Sequence, residues 1–241
     1  MSGDILLDAK GVSKRFGGLK ALSDVSVTQR RGELIGMIGP NGSGKSTFVN
    51  VVTGALRRDT GEIRLDGLDL GALPQHKMAR AGIARTFQAV RIFETLTVRD
   101  NVLNGLLGHA VSTTEGEERM AAALARVGLK VDPDASASGL GLYDRRRLEF
   151  ATRLVARPKL IMLDEPVGGL NPEEIRAMIA LIQSLRQEFG IFIIEHTMKV
   201  ITSLADRVVV LVNGNKLMDD TPQAVLKDKA VIETYLGTGH A

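Results

Sequence analysis

The residues best equipped for chemistry form one run, Gly39-Pro40-Asn41-Gly42-Ser43-Gly44-Lys45-Ser46-Thr47. Its glycines remove the Cβ atoms that would hold phosphate oxygens away from backbone N–H groups. Lys45 stands where an ammonium reaches β- and γ-phosphates, and Ser46 places a hydroxyl where Mg²⁺ needs an oxygen ligand. Such a loop works only between a strand and a helix. The apolar run Leu34-Ile35-Gly36-Met37-Ile38 reads as a buried parallel strand before it, and Thr47-Phe48-Val49-Asn50-Val51-Val52 as a helix after it. The first turn of that helix adds unpaired N–H groups and the positive end of its dipole. The pattern predicts a binding loop for a nucleoside triphosphate.

A phosphate loop needs an acidic partner. Leu160-Ile161-Met162-Leu163 is an apolar strand that runs into Asp164-Glu165-Pro166, and open α/β sheets bind ligands at such strand ends. Asp164 is expected to hold Mg²⁺, directly or through water. Glu165, off the opposite face of the strand, could polarise an attacking water. Ile191-Phe192-Ile193-Ile194 is the next buried strand and delivers Glu195 and His196, the latter a candidate for the γ-phosphate or else a surface or capping residue. Ile83-Ala84-Arg85-Thr86-Phe87-Gln88 reads as a strand with a polar end. Phe16, among Lys14, Arg15 and two glycines, could stack on a base or pack into the core.

The elements that must position these groups follow from composition and punctuation. The chain has 241 residues, 44% of them hydrophobic and 24% charged, enough for one large domain or a core with a subdomain. A formal charge of +3 does not point to nucleic acid, and with no cysteine there is no disulfide or thiolate metal site. The longest apolar runs fall far short of the ~20 residues of a membrane span. Met1-Ser2-Gly3-Asp4 has no charged and apolar regions of a secretory signal. A soluble chain is therefore expected, touching a membrane only through a partner.

Residues 5–35 read as antiparallel strands, and Gly61–Gly67 as a hairpin with an Asp-Gly turn. Helical periodicity dominates from about Ala89 to Ala156, with Ser112–Glu117 as a loop before a helix that stops near Gly128. This stretch is expected to be an inserted helical subdomain. Asn171-Pro172-Glu173-Glu174 starts a helix whose apolar face runs toward a stop at Gly190. Val208–Val212 and Lys216–Asp219 close the sheet around Asn213-Gly214, and a helical tail runs from Pro222 to Tyr235.

Together these residues resemble the nucleotide-binding subunits of ABC transporters over essentially the whole chain. The resemblance implies an α/β fold: a P-loop NTPase (RecA-like) core, an antiparallel β subdomain and the α-helical insertion, within one domain of residues 1–241. Gly39–Thr47 matches the Walker A loop, and Asp164 and Glu165 the Walker B aspartate and catalytic glutamate. Gln88 matches the Q-loop glutamine, which in the family touches Mg²⁺ and water and relays contact with the membrane subunit. Phe16 matches the adenine-stacking aromatic, His196 the switch histidine, and Gly168-Gly169-Leu170-Asn171 the D-loop, where aspartate is usual in the last place. Gly82–Gln88, Glu165–Pro172, Ile194–Lys199 and Ile232–Gly237 look most similar to the branched-chain amino-acid uptake ATPases.

The resemblance implies ATP and Mg²⁺ as ligands and a place at the cytoplasmic face of the inner membrane. Its implied partners are membrane permease subunits, a second ATPase of the same or a paralogous kind, and, in the wider system, a periplasmic binding protein. Other cargo (urea, amide, lipid or lipopolysaccharide) and a non-transport ABC ATPase are the alternatives.

One segment departs from the family. Its signature, usually Leu-Ser-Gly-Gly-Gln, falls in register on Leu140-Gly141-Leu142-Tyr143-Asp144, while Ala137-Ser138-Gly139-Leu140-Gly141 is more similar but too early. In the family this segment donates to the γ-phosphate held by the opposite subunit. Here Gly141 lacks the hydroxyl, and Leu142 and Tyr143 put bulk where glycines allow close approach. A donor to a charged phosphate contributes on the order of 1.5–3 kcal/mol, so the trans contact is expected to weaken roughly tenfold or more. Either the remaining N–H groups suffice, or a different ATPase partner completes the site.

Overall fold

The structure is a computed structural model that describes residues 5–71 and 73–236. Residues 1–4, read above for a secretory signal, and Gly237 of the closing segment lie outside the described residues. The chain opens with a hairpin, β1 (Ile5–Phe16) and β2 (Leu19–Arg30). Next, β3 (Leu34–Ile38) leads through the phosphate loop into α1 (Lys45–Val52). β4 (Thr60–Leu65) and β5 (Leu68–Asp69) meet at Asp66-Gly67, and α2 (Gln75–Ala81) leads to β6 (Ile83–Arg85). Then come α3 (Val98–Asn104), α4 (Thr113–Arg126) and α5 (Leu142–Leu154). β7 (Leu160–Asp164), α6 (Pro172–Leu185), β8 (Gly190–Ile194), α7 (Met198–Leu204) and β9 (Arg207–Val212) complete the alternating part. β10 (Asn215–Asp220), α8 (Pro222–Val225) and α9 (Lys229–Leu236) finish the described chain.

Two sheets result. β2-β1-β4-β5 is antiparallel, and β10-β9-β3-β8-β7-β6 is parallel except for β10. The strands that read as continuous apolar runs are those buried on both faces, as parallel strands must be. Their side chains alternate between two cores. Leu34, Ile161, Leu163, Ile191, Ile193 and Val208 face one layer, and Ile35, Met37, Met162, Phe192, Ile194 and Val209 the other. With both faces apolar, alternation cannot set the register. Polar side chains at the strand ends contribute instead. Buried Gln29 donates Nε2 to Glu33 O and to Ile191 O, each at 2.8 Å, and Asp206 Oδ2 accepts from Leu34 N at 2.9 Å.

Several local expectations change. Ser112–Glu117 is not a loop: Ser112 Oγ accepts from Glu115 N–H at 3.2 Å, and α4 begins at Thr113. The polar residues are its cap and first turn, a use of Ser and Glu that resembles a loop in composition alone. β6 stops at Arg85, so Gln88 lies on a loop rather than at a strand end. α6 ends at Leu185, and Gly190 belongs to β8, where an added Cβ would lie 2.1 Å from Leu6 Cδ2. That glycine serves close packing, not helix termination. The tail is two helices rather than one.

Candidate functional site

The phosphate loop leaves the C-terminal end of β3 and folds over it. Gly39 has φ +155°, and a Cβ there would stand 2.2 Å from Leu211 O and 2.5 Å from Ser43 Oγ. Gly44, at φ +106°, would bring a Cβ within 2.4 Å of Ala21 O. No side chain fits either place. Gly44 is also the N-cap of α1 and caps it with no side-chain hydrogen bond, so the first-turn N–H groups stay with the loop. Lys45 Nζ donates to Gly39 O at 2.7 Å and Pro40 O at 3.0 Å, which holds the ammonium against the loop. Burial lowers its pKa from the usual lysine range, while the charges of Glu165 and Asp164 oppose the shift.

Strand alternation separates the two acids. Asp164 shares the β7 face of Leu160 and Met162, toward α1, and is buried. Its Oδ2 accepts from Arg85 Nη2 at 2.8 Å, and the same guanidinium bonds Asn50 Oδ1 on α1. β6 and β7 are parallel neighbours, with Arg85 paired to Met162, so Arg85 reaches Asp164 from the adjacent strand. Glu165 follows in the left-handed region at φ +47°, with its N–H on Ile194 O at 2.9 Å. This turn lifts its carboxylate off the sheet edge. Gln88 Nε2 donates to Glu165 Oε2 at 2.8 Å, and His196 Nδ1 lies 3.6 Å from Oε1. Buried Glu195 accepts from the N–H groups of His196 and Thr197 at 3.1 and 3.2 Å, which fixes the turn that presents His196. Burial raises the Glu195 pKa.

The phosphate loop from Asn41, the acid pair and Gln88 open onto one cleft of ≈ 640 Å³, while Gly39, Pro40 and His196 do not line it and His196 stands beside it against Glu165. Asn41 to Thr47, Gln88, Asp164 and Glu165 line it, and Phe16 stands at its rim. Phe16 is 48% exposed, which rules out the core-packing alternative, and Lys14 Nζ lies 5.6 Å from its ring centroid. Ser46, Asp164 and Gln88 bring a hydroxyl, a carboxylate and an amide oxygen to the same cleft, a hard-oxygen set that fits Mg²⁺. Among the described residues no group of three or more His, Cys, Asp or Glu could hold a metal by itself.

Leu140 to Asp144 do not line this cleft. Gly141 caps α5 by its backbone alone, Leu142 is 43% exposed and lies over Gly169, and Tyr143 lies against Arg147, whose guanidinium carbon is 4.6 Å from the ring centroid. Three buried or nearly buried charges were not singled out by sequence reasoning: Arg85, Arg146 and Glu149. The available signal was position. Arg85 interrupts an apolar strand, and Arg146 and Glu149 fall on the same side of α5 as its apolar residues.

Comparison with known proteins agrees with this geometry. Residues 22–168 match the ABC transporter family pattern. The chain is 40% identical to the high-affinity branched-chain amino acid transport ATP-binding protein BraF of Pseudomonas aeruginosa, over 96% of this chain and 98% of that protein. Identity to LivG of Escherichia coli, of the same description, is 38% with the same coverage. The lipopolysaccharide export ATP-binding protein LptB of Escherichia coli is 34% identical over 96% and 97%. Among solved structures, the ADP conformation of an ATP-binding cassette of an ABC transporter superposes with a TM-score of 0.88 at 29% identity, covering 97% of this chain and 99% of that one. A fold with a phosphate loop facing an acid pair, and relatives this similar along their whole length, lead to one conclusion: the chain belongs to the ABC transporter ATPase family.

Proposed function

We propose that this chain is the ATP-hydrolysing subunit of an importer for branched-chain or other hydrophobic amino acids. The observation that carries the reading is the Glu165 carboxylate, held between Gln88 Nε2 and His196 beside the phosphate loop. In that position it can accept a proton from a water aligned with the γ-phosphate, while His196 orients the same water or the phosphoryl group being transferred to it, with ADP as the leaving group. Lys45 and the loop N–H groups stabilise charge on the β- and γ-oxygens. Phe16 stacks on the base at the rim. Mg²⁺, held by Ser46, Asp164 and Gln88, would supply charge neutralisation at the phosphates.

The BraF and LivG relatives support the amino-acid cargo, since their identity exceeds that of LptB. The remaining assignments follow the same reading. Residues 89–156 act as a helical subdomain that shifts with nucleotide state, and Gln88 links that shift to permease subunits at the cytoplasmic face of the membrane. A periplasmic binding protein delivers cargo. Leu140 to Asp144 face an opposing ATPase across a dimer. Gly141 offers no hydroxyl there and Leu142 adds bulk, so a paralogue with an intact signature is the better-fitting partner than a second copy.

Equilibrium Mg·ATP binding and phosphate release test the chemistry. Glu165→Gln is expected to keep binding and lose about 10²–10⁴-fold in turnover, the range of a general base. Lys45→Ala is expected to lose binding itself. A Glu165→Gln chain that hydrolyses ATP at the wild-type rate removes the proposed role. Cargo is read separately: after reconstitution with permeases, stimulation by a leucine-loaded but not a urea-loaded binding protein is the expected result.

A further inference from the structure

Two buried charges on α5 have no part in the chemistry above. Arg146 is 4% exposed and Glu149 1%, and their i, i+3 spacing puts them on one side of the helix. Glu149 Oε1 accepts from Phe87 N–H at 3.3 Å and from Arg91 N–H at 3.4 Å. Those two amides bracket Gln88. Arg146 Nη2 donates to Gln88 O at 3.4 Å and to Gly168 O at 2.6 Å. One helix face therefore holds three main-chain groups of the 87–91 loop and one of the loop after Glu165.

Sheet pairing ends before the 87–91 loop. Thr86 N–H on Met162 O is the last sheet-type bond before it, and the loop has no regular structure. The Phe87 ring is ringed by Arg91, Arg85 and Arg153, at 4.0, 4.9 and 6.0 Å from the centroid. Burying a carboxylate and a guanidinium is costly, and apolar residues of similar size usually stabilise a fold as well or better. Desolvation of Glu149 shows in its pKa, pushed up to about 7. Glu149 also has an ion pair with Arg153 on the next turn, at 3.9 Å, but the hydrogen bonds of the two residues end on backbone of the 87–91 loop and of the loop after Glu165.

We propose that Arg146 and Glu149 are positioning residues for Gln88, fixing the loop from which it reaches Glu165. The same helix carries Leu142 and Tyr143 in its first turn. The segment expected to face the opposite subunit and the loop that aims Gln88 are therefore mounted on one rigid piece.

The inference rests on the role of Gln88 and Glu165 proposed above, and a double-mutant cycle separates the two. Turnover, Mg·ATP affinity and thermal unfolding are measured for Glu149→Ala, Gln88→Ala and the double variant. Misplacing a catalytic group by a fraction of an ångström to an ångström costs up to about a hundredfold, so Glu149→Ala is expected to lose about ten- to a hundredfold in kcat with Mg·ATP affinity nearly unchanged. The double variant should be no slower than Gln88→Ala alone. Glu149→Gln, which keeps an acceptor for both amides, should restore most of kcat. Additive losses in the double variant, or Glu149→Gln as slow as Glu149→Ala, overturn the inference. Should Glu149→Ala not fold, Arg146→Met takes its place in the same cycle with the same expectation. Full activity of Glu165→Gln would instead sink the functional reading, whichever way the cycle falls.

Discussion

Asp164 and Glu165 are adjacent in the chain yet are held by different means. Asp164 ends a strand and is clamped by Arg85, while Glu165 leaves the sheet through a left-handed turn and meets Gln88 and His196. Residue chemistry of this kind has measurable consequences at Glu149. Its carboxyl is pushed up to about 7, chiefly by burial, against the opposing charges of Arg153 and Arg146 and the amides of Arg91 and Phe87. Between the unfolded value of 4.5 and about 7 the folded chain holds a proton that the unfolded chain has lost. This contribution to stability is thus present at low pH, falls as pH rises through that window, and is gone above it. The full change is on the order of 3 kcal/mol. Urea unfolding of wild type and Glu149→Gln at pH 5 and pH 8 checks it: wild type should lose ground to the variant by about that amount. A constant difference at the two pH values would count against the burial effect.

The residues legible in sequence were those with short-range company. Gly39 to Thr47 declare themselves by spacing, and Asp164 and Glu165 by the apolar strand before them. Arg85, Arg146 and Glu149 bond to residues 79, 58 and 62 positions away, and no local pattern encodes such a partner.

At the scale of elements, α6 shows which signals travel well. Asn171 Oδ1 accepts from Glu173 and Glu174 N–H at 3.0 Å each, and Glu174 Oε2 accepts from Asn171 N–H at 2.9 Å. This capping box was readable because all its parts lie within four residues. The end of α6 was not, since Arg186 caps it without a glycine and a turn over residues 186–189 leads into β8. Asn171→Ala should lower the unfolding free energy by about 1 kcal/mol, and Asn171→Asp should not, because aspartate caps equally well. Chemical denaturation of both variants checks this, and equal losses would mean that the side chain acts otherwise than as a cap.

For the whole molecule, the order of motifs announces the fold, but pairing between chains is not written in either. Around Gly141 the structure leaves room: an added Cβ meets nothing within 4 Å, so a serine would be accepted. Replacing Gly141-Leu142-Tyr143-Asp144 with Ser-Gly-Gly-Gln should raise the ATPase rate of the isolated chain roughly tenfold, the worth of a charged donor. Tyr143 would give up its contact with Arg147 in exchange. Mixing the unaltered chain with a paralogous ATPase should give a comparable gain. Equal rates in all three preparations would dispose of the unlike pair.

The backbone at Glu165 has a cost of its own. A side-chain-bearing residue in that left-handed well sits where glycine would rest more easily, by an amount on the order of 1 kcal/mol. Glu165→Gly would relieve that strain, so a chain without the carboxylate can be at least as stable as the wild type.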